Sequence, residues 1–408
     1  MGRMTPEPAA RTVSLSAPGA LPAERARPDM RLLSFLALGH LVVDVNQGSL
    51  PILLPFLKSA LALSYTATGT IVLMASVTSS LIQPLFGYLA DRTARRWLLP
   101  LSVVLSSVGV GLAGLAPTYG AVLALVMLTG FGVAAYHPEG YRTATAVAGD
   151  RKATGVSVFS TGGNVGIAVG PPLVTALLTA FGLPGSLGLL VPGILVGALL
   201  TAALPLLSAP APVRPHAGGT RAPETMASAM ALLIAVVAVR SWTQLGFTTY
   251  VPFYYLETLG GDPRLVGTLL GVFLGAGVIG TLVAGPIADR VGLRRYVVGA
   301  LLLVAPIALA FFLVRSVLGM LVVLALLGFV MVSTFTVSVV LGQAYLPRHP
   351  GMASGLIVGF AIGAGGVGVT GLGWVADHLG LTAALLVSAL VPLVAFGGAL
   401  FLPEPRAR

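Results

Sequence analysis

The sequence predicts an all-α polytopic membrane protein in which twelve transmembrane helices form two six-helix halves. Of its 408 residues, 56% are hydrophobic and only 9% are charged. Water-soluble surfaces need more charge than that, so most of the chain must face lipid or other helices. A short charged element also occurs twice, beginning at Gly87 and at Gly285, 198 positions apart. A repeat at about half the chain length indicates a duplicated unit.

Twelve apolar segments supply the predicted helices. A helix needs about 20 apolar residues to span a bilayer. Several segments contain proline or many glycines, which membrane helices tolerate because neighbouring helices satisfy the freed backbone groups. The predicted spans are residues 32–57, 66–90, 97–116, 119–143, 153–181, 187–208, 229–256, 265–289, 296–314, 317–345, 352–376 and 381–402.

The polar stretches between the spans define the domain boundaries. Residues 1–30 are rich in Pro, Ala and Arg and lack the apolar core of a signal peptide, so they are predicted to form a disordered cytoplasmic tail. Residues 31–208 and 228–403 are the two predicted six-helix bundles. A linker rich in Pro and Gly, residues 209–227, connects them on the cytoplasmic side, and residues 404–408 form a second cytoplasmic tail.

The positive charges follow the predicted topology. With residue 1 inside, nineteen Lys and Arg residues fall on the cytoplasmic side and three (Lys58, Arg264 and Arg315) fall outside. This asymmetry is the positive-inside pattern, and it places both termini in the cytoplasm. The net charge of +10 therefore indicates contact with anionic lipid and not with nucleic acid. The remaining cation, Arg240, lies within a span.

The chain contains no cysteine, which excludes disulfides, thiolate metal sites and a cysteine nucleophile. It also lacks a His-Glu-x-x-His zinc motif, a Gly-x-Ser-x-Gly elbow and a glycine-rich phosphate loop followed by lysine. We therefore predict no enzymatic activity, no cofactor and no metal site.

The doubled charged element is the strongest motif in the chain. Each copy carries a glycine, an aspartate and three arginines in a hinge between two apolar segments. The positive-inside pattern explains the arginines, whereas a repeated Gly and Asp at fixed spacing favour a role in gating. The candidate gating residues are Gly87, Asp91, Arg92, Arg95 and Arg96 in the first copy and Gly285, Asp289, Arg290, Arg294 and Arg295 in the second.

Few ionisable groups lie at bilayer depth, where such groups are costly and usually functional. Asp44 and Glu139 are the two acids predicted there. His40 lies four positions before Asp44 and shares its helix face, and Arg142 lies three positions after Glu139, within pairing distance. Glu139 with Arg142 can be a structural pair or part of the mechanism. Because burial disfavours the charged form of a carboxylate, Asp44 or Glu139 could carry a proton at neutral pH.

The doubled element resembles the loop between the second and third helices of the major facilitator superfamily, Gly-x-Leu-Ala-Asp-Arg-x-Gly-Arg-Arg. The first copy has Ala94 at the family's second glycine, and the second copy retains Gly292. The resemblance covers residues 31–402 and implies two halves that rock around a cavity lined by helices one, four, seven and ten. It also implies that Asp91 and Asp289 clamp a neighbouring helix end in one state and release it in another.

Other motifs resemble the fosmidomycin resistance branch of that superfamily, whose members are proton-driven drug exporters. The antiporter motif of helix five is partly present, as Gly166, Gly170 and Pro171, but the glycine pair that should follow is missing. The matching segments are His40-Leu-Val-Val-Asp44 with Gln47, Gln83-Pro84-Leu85-Phe86-Gly87, and Tyr136-His137-Pro138-Glu139 with Arg142.

The resemblance and the buried charges together predict a proton-coupled secondary transporter that works by alternating access. We expect a proton antiporter that exports small polar or anionic compounds, including drugs; the alternative is a proton-coupled importer of a sugar or organic acid, since the fold does not fix direction. The candidate proton-coupling residues are Asp44, Glu139, His40 and His137, and the candidate substrate-binding residues are Arg240, Arg142, Gln47, Trp242, Gln244, Tyr250, Tyr254 and Gln343.

The expected partners are a small-molecule substrate, protons and membrane lipid, with no nucleic acid, and the expected active form is a monomer. The two histidines and the aromatic residues also have simpler interpretations, as backbone hydrogen-bond donors and as packing or interfacial groups. We expect the protein to lie in the cytoplasmic (inner) membrane of a prokaryote, as a multi-pass protein with both termini in the cytoplasm.

Overall fold

The computed structural model is helical throughout, and no β-strand occurs in the part of the chain that it describes. Helices are the expected result for apolar spans, because a helix satisfies its backbone hydrogen bonds within one segment. The described residues are 28–86, 95–149, 152–207, 226–347, 350–361 and 363–405.

Six helices form the first half of the molecule. Side-chain caps at Asp29, Ser64 and Thr118 begin three of them by accepting a backbone N–H of the first turn. The second helix contains a π-helical turn, and the sixth begins as a 3-10 helix. The helices are α1 (Met30–Leu61), α2 (Tyr65–Phe86), α3 (Leu98–Ala113), α4 (Tyr119–Val147), α5 (Lys152–Phe181) and α6 (Leu183–Leu207).

Six further helices form the second half. The seventh ends in a π-helical turn, and the eleventh consists of three stretches. The helices are α7 (Ala227–Thr258), α8 (Pro263–Val291), α9 (Leu293–Ala310), α10 (Val317–Tyr345), α11 (Pro350–Gly355, Leu356–Ala361 and Gly365–Leu379) and α12 (Leu381–Leu400). The predicted fold class is therefore confirmed: every predicted span has a helical counterpart.

Glycines allow the closest helix contacts. In α5, Gly162, Gly166 and Gly170 lie against backbone carbonyls of α1, so that a methyl group at any of them would collide with the neighbouring helix. Small residues at such an interface let helix backbones approach closely. The two halves also meet through glycines: Gly69 of α2 packs on α11, and Gly267 of α8 packs on α5. The α1–α5 contact is the one that positions the candidate site.

Candidate functional site

A largely buried carboxylate lies between two imidazoles in the first half of the molecule. His40 and Asp44 are one turn apart on α1, and His137 comes from α4. Asp44 Oδ2 is 3.4 Å from His40 Nε2, and Asp44 Oδ1 is 3.3 Å from His137 Nε2. The exposed fractions of the three side chains are only 4%, 13% and 16% for His40, Asp44 and His137. We call these three residues the His–Asp–His cluster.

Backbone carbonyls fix the orientation of both imidazoles. His40 Nδ1 lies 2.8 Å from the carbonyl oxygen of Phe159 on α5, and the two rings stack with centroids 4.2 Å apart. His137 Nδ1 lies 3.0 Å from the carbonyl oxygen of Val133, one turn earlier on α4. A carbonyl oxygen can only accept, so each Nδ1 carries the hydrogen and each Nε2 faces Asp44. The histidines thus make the backbone contacts considered from sequence and meet the carboxylate as well.

A glycine of α5 forms one wall of the cluster. A Cβ atom added to Gly163 would lie 2.6 Å from Asp44 Oδ2 and would also collide with the His40 ring. Nearby, Tyr136 donates a 2.6 Å hydrogen bond to the Leu36 carbonyl, and the Tyr141 hydroxyl lies 3.2 Å from that of Ser160. The neighbouring glycines Gly162 and Gly163 are visible in the sequence, but their partners on α1 are not.

Glu139 lies in a different electrostatic environment from Asp44. Its side chain is 1% exposed, and the charges that act on it are those of Arg142 and Arg96. Arg96 belongs to the first copy of the doubled element and reaches α4 from the start of α3. Arg142 and Arg96 thus both act electrostatically on Glu139, and its two buried carboxylate oxygens have no hydrogen-bond partner within the described ranges.

Arg240 is a buried cation in the second half. It lies on α7, is 3% exposed, and donates a 2.6 Å hydrogen bond from Nη2 to the Met331 carbonyl of α10. Its Nε has no hydrogen-bond partner within the described ranges. No described carboxylate pairs with this guanidinium.

Two cavities lie near these charges. The first, of about 90 Å³, is bounded by α1, α2, α3, α4 and α7, and Gln47 and Asn46 lie in its wall. Asn46 donates to the hydroxyls of Ser106 and Ser107, at 3.1 and 2.8 Å, while its Oδ1 lacks a partner among the described residues. The second, of about 170 Å³, lies between α7 and α10 and includes Gln244. Both glutamines therefore face open space.

Comparison with known proteins identifies the family. The Major Facilitator Superfamily model matches residues 36–367 and, in a second match, residues 257–408. The chain belongs to the major facilitator superfamily. It is 31% identical over 391 residues to the fosmidomycin resistance protein of Escherichia coli (strain K12), covering 94% of this chain and 95% of that protein. It is also 31% identical over 372 residues to the uncharacterized MFS-type transporter YfnC of Bacillus subtilis (strain 168), covering 89% and 90%.

Solved structures agree on the fold of this superfamily member. A bacterial homologue of the human lysosomal transporter Spinster, in an inward-facing and occupied conformation, superposes with a TM-score of 0.73 at 16% identity, covering 91% of this chain and 96% of that one. A mutant form of the nucleoside transporter NupG superposes with a TM-score of 0.73 at 14% identity, covering 91% and 99%. The protein is therefore a multi-pass membrane transporter that resembles the fosmidomycin resistance branch.

Four candidate substrate residues of this transporter are engaged elsewhere. None of them lines the two cavities described above. Trp242 donates to the Ala364 carbonyl at 3.2 Å, and Tyr250 donates to the Val369 carbonyl at 2.8 Å. Tyr254 packs against Phe311, and Gln343 donates to Ser354 at 2.8 Å. In this conformation all four hold helices together, because the rotation of α7 and α10 turns them towards neighbouring helices.

The second copy of the doubled element lies within the described residues. Asp289 is exposed and has no hydrogen-bond or ion-pair partner within the described ranges, so it clamps no helix end in this conformation; a clamp is expected in only one of the two states. Gly292, with φ +96°, joins α8 directly to α9. This turn points Arg294 at the carbonyls of Leu400 and Leu402 at the end of α12, a favourable place for a cation.

The other residues of the doubled element make longer contacts, are exposed or lie outside the described residues. Arg294 and Arg295 both approach Glu404, at 3.8 and 3.7 Å. Arg290 and Arg95 are exposed, and a Cβ atom on Gly285 would meet no neighbour within 4 Å. In the first copy, Gly87, Asp91, Arg92 and Ala94 lie outside the described residues.

A polar seal that the sequence reasoning missed joins the two halves at the predicted outer end. Lys58 of α1 lies 3.6 Å from Glu257 of α7, and Tyr65 of α2 donates a 2.5 Å hydrogen bond to the same carboxylate. Asp377 of α11 accepts from the backbone N–H groups of Tyr65 and Thr66, at 2.7 and 2.9 Å. Lys58 lies on the predicted outer side, but no pattern in the sequence indicates that it meets Glu257 or that Asp377 lies nearby.

Proposed function

We propose that this transporter is a proton-coupled antiporter that exports small polar or anionic compounds, including drugs. The observation that carries the proposal is the His–Asp–His cluster, a buried carboxylate in contact with two imidazoles from two helices. Imidazole is the side chain that changes charge near neutral pH, and a carboxylate beside it can share the transferred proton. Together they can accept a proton from one side of the membrane and release it to the other.

The surroundings of the two buried acids favour Asp44 as the proton carrier. Glu139 faces Arg142 and Arg96, and a guanidinium keeps its charge at every pH that a cell experiences. Fixed cations beside a buried carboxylate offset part of the cost of burying its charge, which suits a structural role. Asp44 faces groups whose own charge changes, so its charge can change with theirs. We therefore assign proton coupling to Asp44, His40 and His137, and a structural role to Glu139.

Arg240 supports the anionic part of the substrate class. A guanidinium buried with a single backbone carbonyl and no described carboxylate partner is incompletely neutralised. Such a group attracts an anion, which it can bind through two parallel N–H donors. Gln244, four positions later on the same helix, lines the neighbouring cavity, and Gln47 lines the cavity in the first half. We propose that these polar groups orient the substrate.

Similarity to a known protein supports export as the direction of transport. The relative named for fosmidomycin resistance aligns over 94% of this chain, and a protein that confers resistance by transport removes the compound from the cell. Alternating access would expose the His–Asp–His cluster and the cavity to each side in turn, so that proton entry drives substrate exit. Import of a sugar or organic acid remains as an outcome of the test.

The proposal is tested by proton movement in liposomes that contain the purified protein. Adding fosmidomycin should drive protons across the membrane, and Asp44→Asn should abolish this movement while leaving the protein monodisperse. Asp262→Asn, the same change at an exposed residue before α8, is the matched control and should transport normally. Normal proton-driven transport by Asp44→Asn would contradict the assignment. Uptake of a toxic sugar or organic-acid analogue, with no export of fosmidomycin, would favour the importer.

A further inference from the structure

The hydrogen-bonding atoms of the His–Asp–His cluster limit the number of protons that it can hold. A neutral imidazole has one N–H. In both histidines this N–H is on Nδ1, where it donates to a backbone carbonyl: that of Phe159 for His40 and that of Val133 for His137. Each Nε2 is therefore a bare acceptor when its ring is neutral. An ionised Asp44 presents only acceptors as well. Without added protons, both contacts of Asp44 bring one lone pair against another.

Adding protons relieves these contacts one at a time. The imidazoles approach different oxygens, His40 at Oδ2 and His137 at Oδ1, so one proton satisfies one contact and leaves the other unsatisfied. A second proton satisfies both contacts without competing for the same oxygen. The formal charge of the cluster changes from −1 to 0 and then to +1 in these steps.

Among the described residues, neighbouring elements contribute no further carboxylate or imidazole that could take over one of these positions. From α4, the titratable groups that face Asp44 are the phenols of Tyr136 and Tyr141. From α5, the contacts are the carbonyl of Phe159 and the glycine Gly163, which do not titrate. Within the described ranges, both proton positions therefore belong to the cluster itself.

We infer that the cluster binds two protons, one on each Asp44–imidazole contact, and that His137 is the second proton site. The inference deepens the proposed function and rests on it only for the use of these protons in transport. The first proton lies within α1, between His40 and Asp44. The second connects α1 to α4. Because 3.3 Å is longer than a charge-assisted hydrogen bond of about 2.7–2.9 Å, protonation of His137 would draw these two helices together.

Histidine nitrogen NMR on the purified full-length protein tests the inference without any substrate. The protein is labelled with ¹⁵N-histidine in lipid nanodiscs, and His40→Gln and His137→Gln assign the signals. At alkaline pH both residues should carry hydrogen on Nδ1 alone, and at acid pH both should carry hydrogen on Nδ1 and Nε2. Protonation of only one of the two rings across the pH range, or an alkaline tautomer protonated at Nε2, would overturn the inference.

A variant series separates this inference from the proposed function. Asp44→Asn removes the ionised partner of both rings, so both should gain their Nε2 proton only at lower pH. Asp262→Asn should leave both titrations unchanged, and His378, on α11 away from the cluster, serves as an internal reference. If both rings become protonated but the protein moves no protons, antiport is contradicted and the second proton site is still supported. Proton-driven export with one protonated ring would contradict the second site alone.

Discussion

At the scale of single residues, the two proposed functional charges differ in how they are neutralised. Asp44 lies between two groups that can gain or lose a proton, whereas Arg240 has one backbone carbonyl for its permanent charge. A charge at the centre of a bilayer costs roughly 2.5–3.5 kcal/mol even on lenient scales. That cost favours neutralisation of each group by a mobile species: protons at Asp44 and an anionic substrate at Arg240.

Gly163→Ala is expected to disrupt the His–Asp–His cluster specifically. The new methyl group would lie 2.6 Å from Asp44 Oδ2 and even closer to the His40 ring, so either α5 or these two side chains must move. Overpacking of this kind costs about 1–3 kcal/mol. We expect a folded protein with a lower melting temperature and proton-driven transport reduced at least severalfold, measured in liposomes.

The control for this substitution is Gly371→Ala on α11. An added Cβ there meets nothing within 4 Å, and alanine is the better helix former by about 1 kcal/mol. Melting temperature and transport should therefore be unchanged or slightly improved. Equal effects of the two substitutions would contradict a specific role for the glycine beside Asp44.

At the scale of helices, the outer ends of the two halves are closed by polar contacts between elements. Glu257 of α7 interacts with both Lys58 of α1 and Tyr65 of α2. Asp377 of α11 accepts the first N–H groups of α2, where a carboxylate also benefits from the positive end of the helix dipole. These contacts must break whenever the outer side opens, so their strength affects the balance between the two states.

Glu257→Gln should shift the protein towards an outward-open state. The substitution removes the charge that pairs with Lys58, and partly exposed ion pairs contribute about 0.2–1 kcal/mol. Because the chain has no native cysteine, spin labels can be placed by Ser59→Cys on α1 and Thr258→Cys on α7 without further changes. Double electron–electron resonance should show a larger population of long distances, by a factor of up to about five.

Glu404→Gln is the matched control for the outer seal. Glu404 pairs with Arg294 and Arg295 within the second half, after the end of α12. Its loss should leave the distance between Ser59→Cys and Thr258→Cys unchanged. A distance distribution that does not respond to Glu257→Gln would mean that the Lys58–Glu257 pair does not hold the outer end closed.

At the scale of the whole molecule, the duplication extends beyond the charged element. Gly182, between α5 and α6, and Gly380, between α11 and α12, are 198 positions apart (380 minus 182), the same separation as the two charged copies. Both have positive φ, of +63° and +86°, which allows the chain to turn sharply into the next helix. The last helix of each half is thus connected to the preceding one at corresponding positions.

The orientation of the molecule can be tested with single cysteines and a membrane-impermeant maleimide on intact cells. The distribution of nineteen cations against three predicts that residues 209–227 face the cytoplasm and that the turn between α9 and α10 faces outward. Ser316→Cys should therefore be labelled, and Gly218→Cys should be labelled only after the cells are opened. Labelling of Gly218→Cys alone on intact cells would reverse the orientation.

The amino-acid sequence alone determined the helical spans and the presence of charged residues within them. Within a bilayer, an apolar run of about 20 residues forms a helix, because its backbone must be hydrogen-bonded within the segment. The twelve spans and the buried positions of Glu139 and Arg240 follow from this local constraint. The duplication and the family likewise depend on motifs that can be read along the chain.

Only the tertiary structure decided which of those side chains meet. His137 joins Asp44, and Arg96 joins Glu139, because α1, α4 and the start of α3 pack with particular rotations. Tyr250 and Trp242, which looked from sequence like substrate contacts, turn instead to backbone carbonyls of α11. Helix rotation depends on the summed packing of distant residues, such as the α5 glycines against α1, and no local pattern contains that information. The sequence therefore determined the helices, and their packing determined the site.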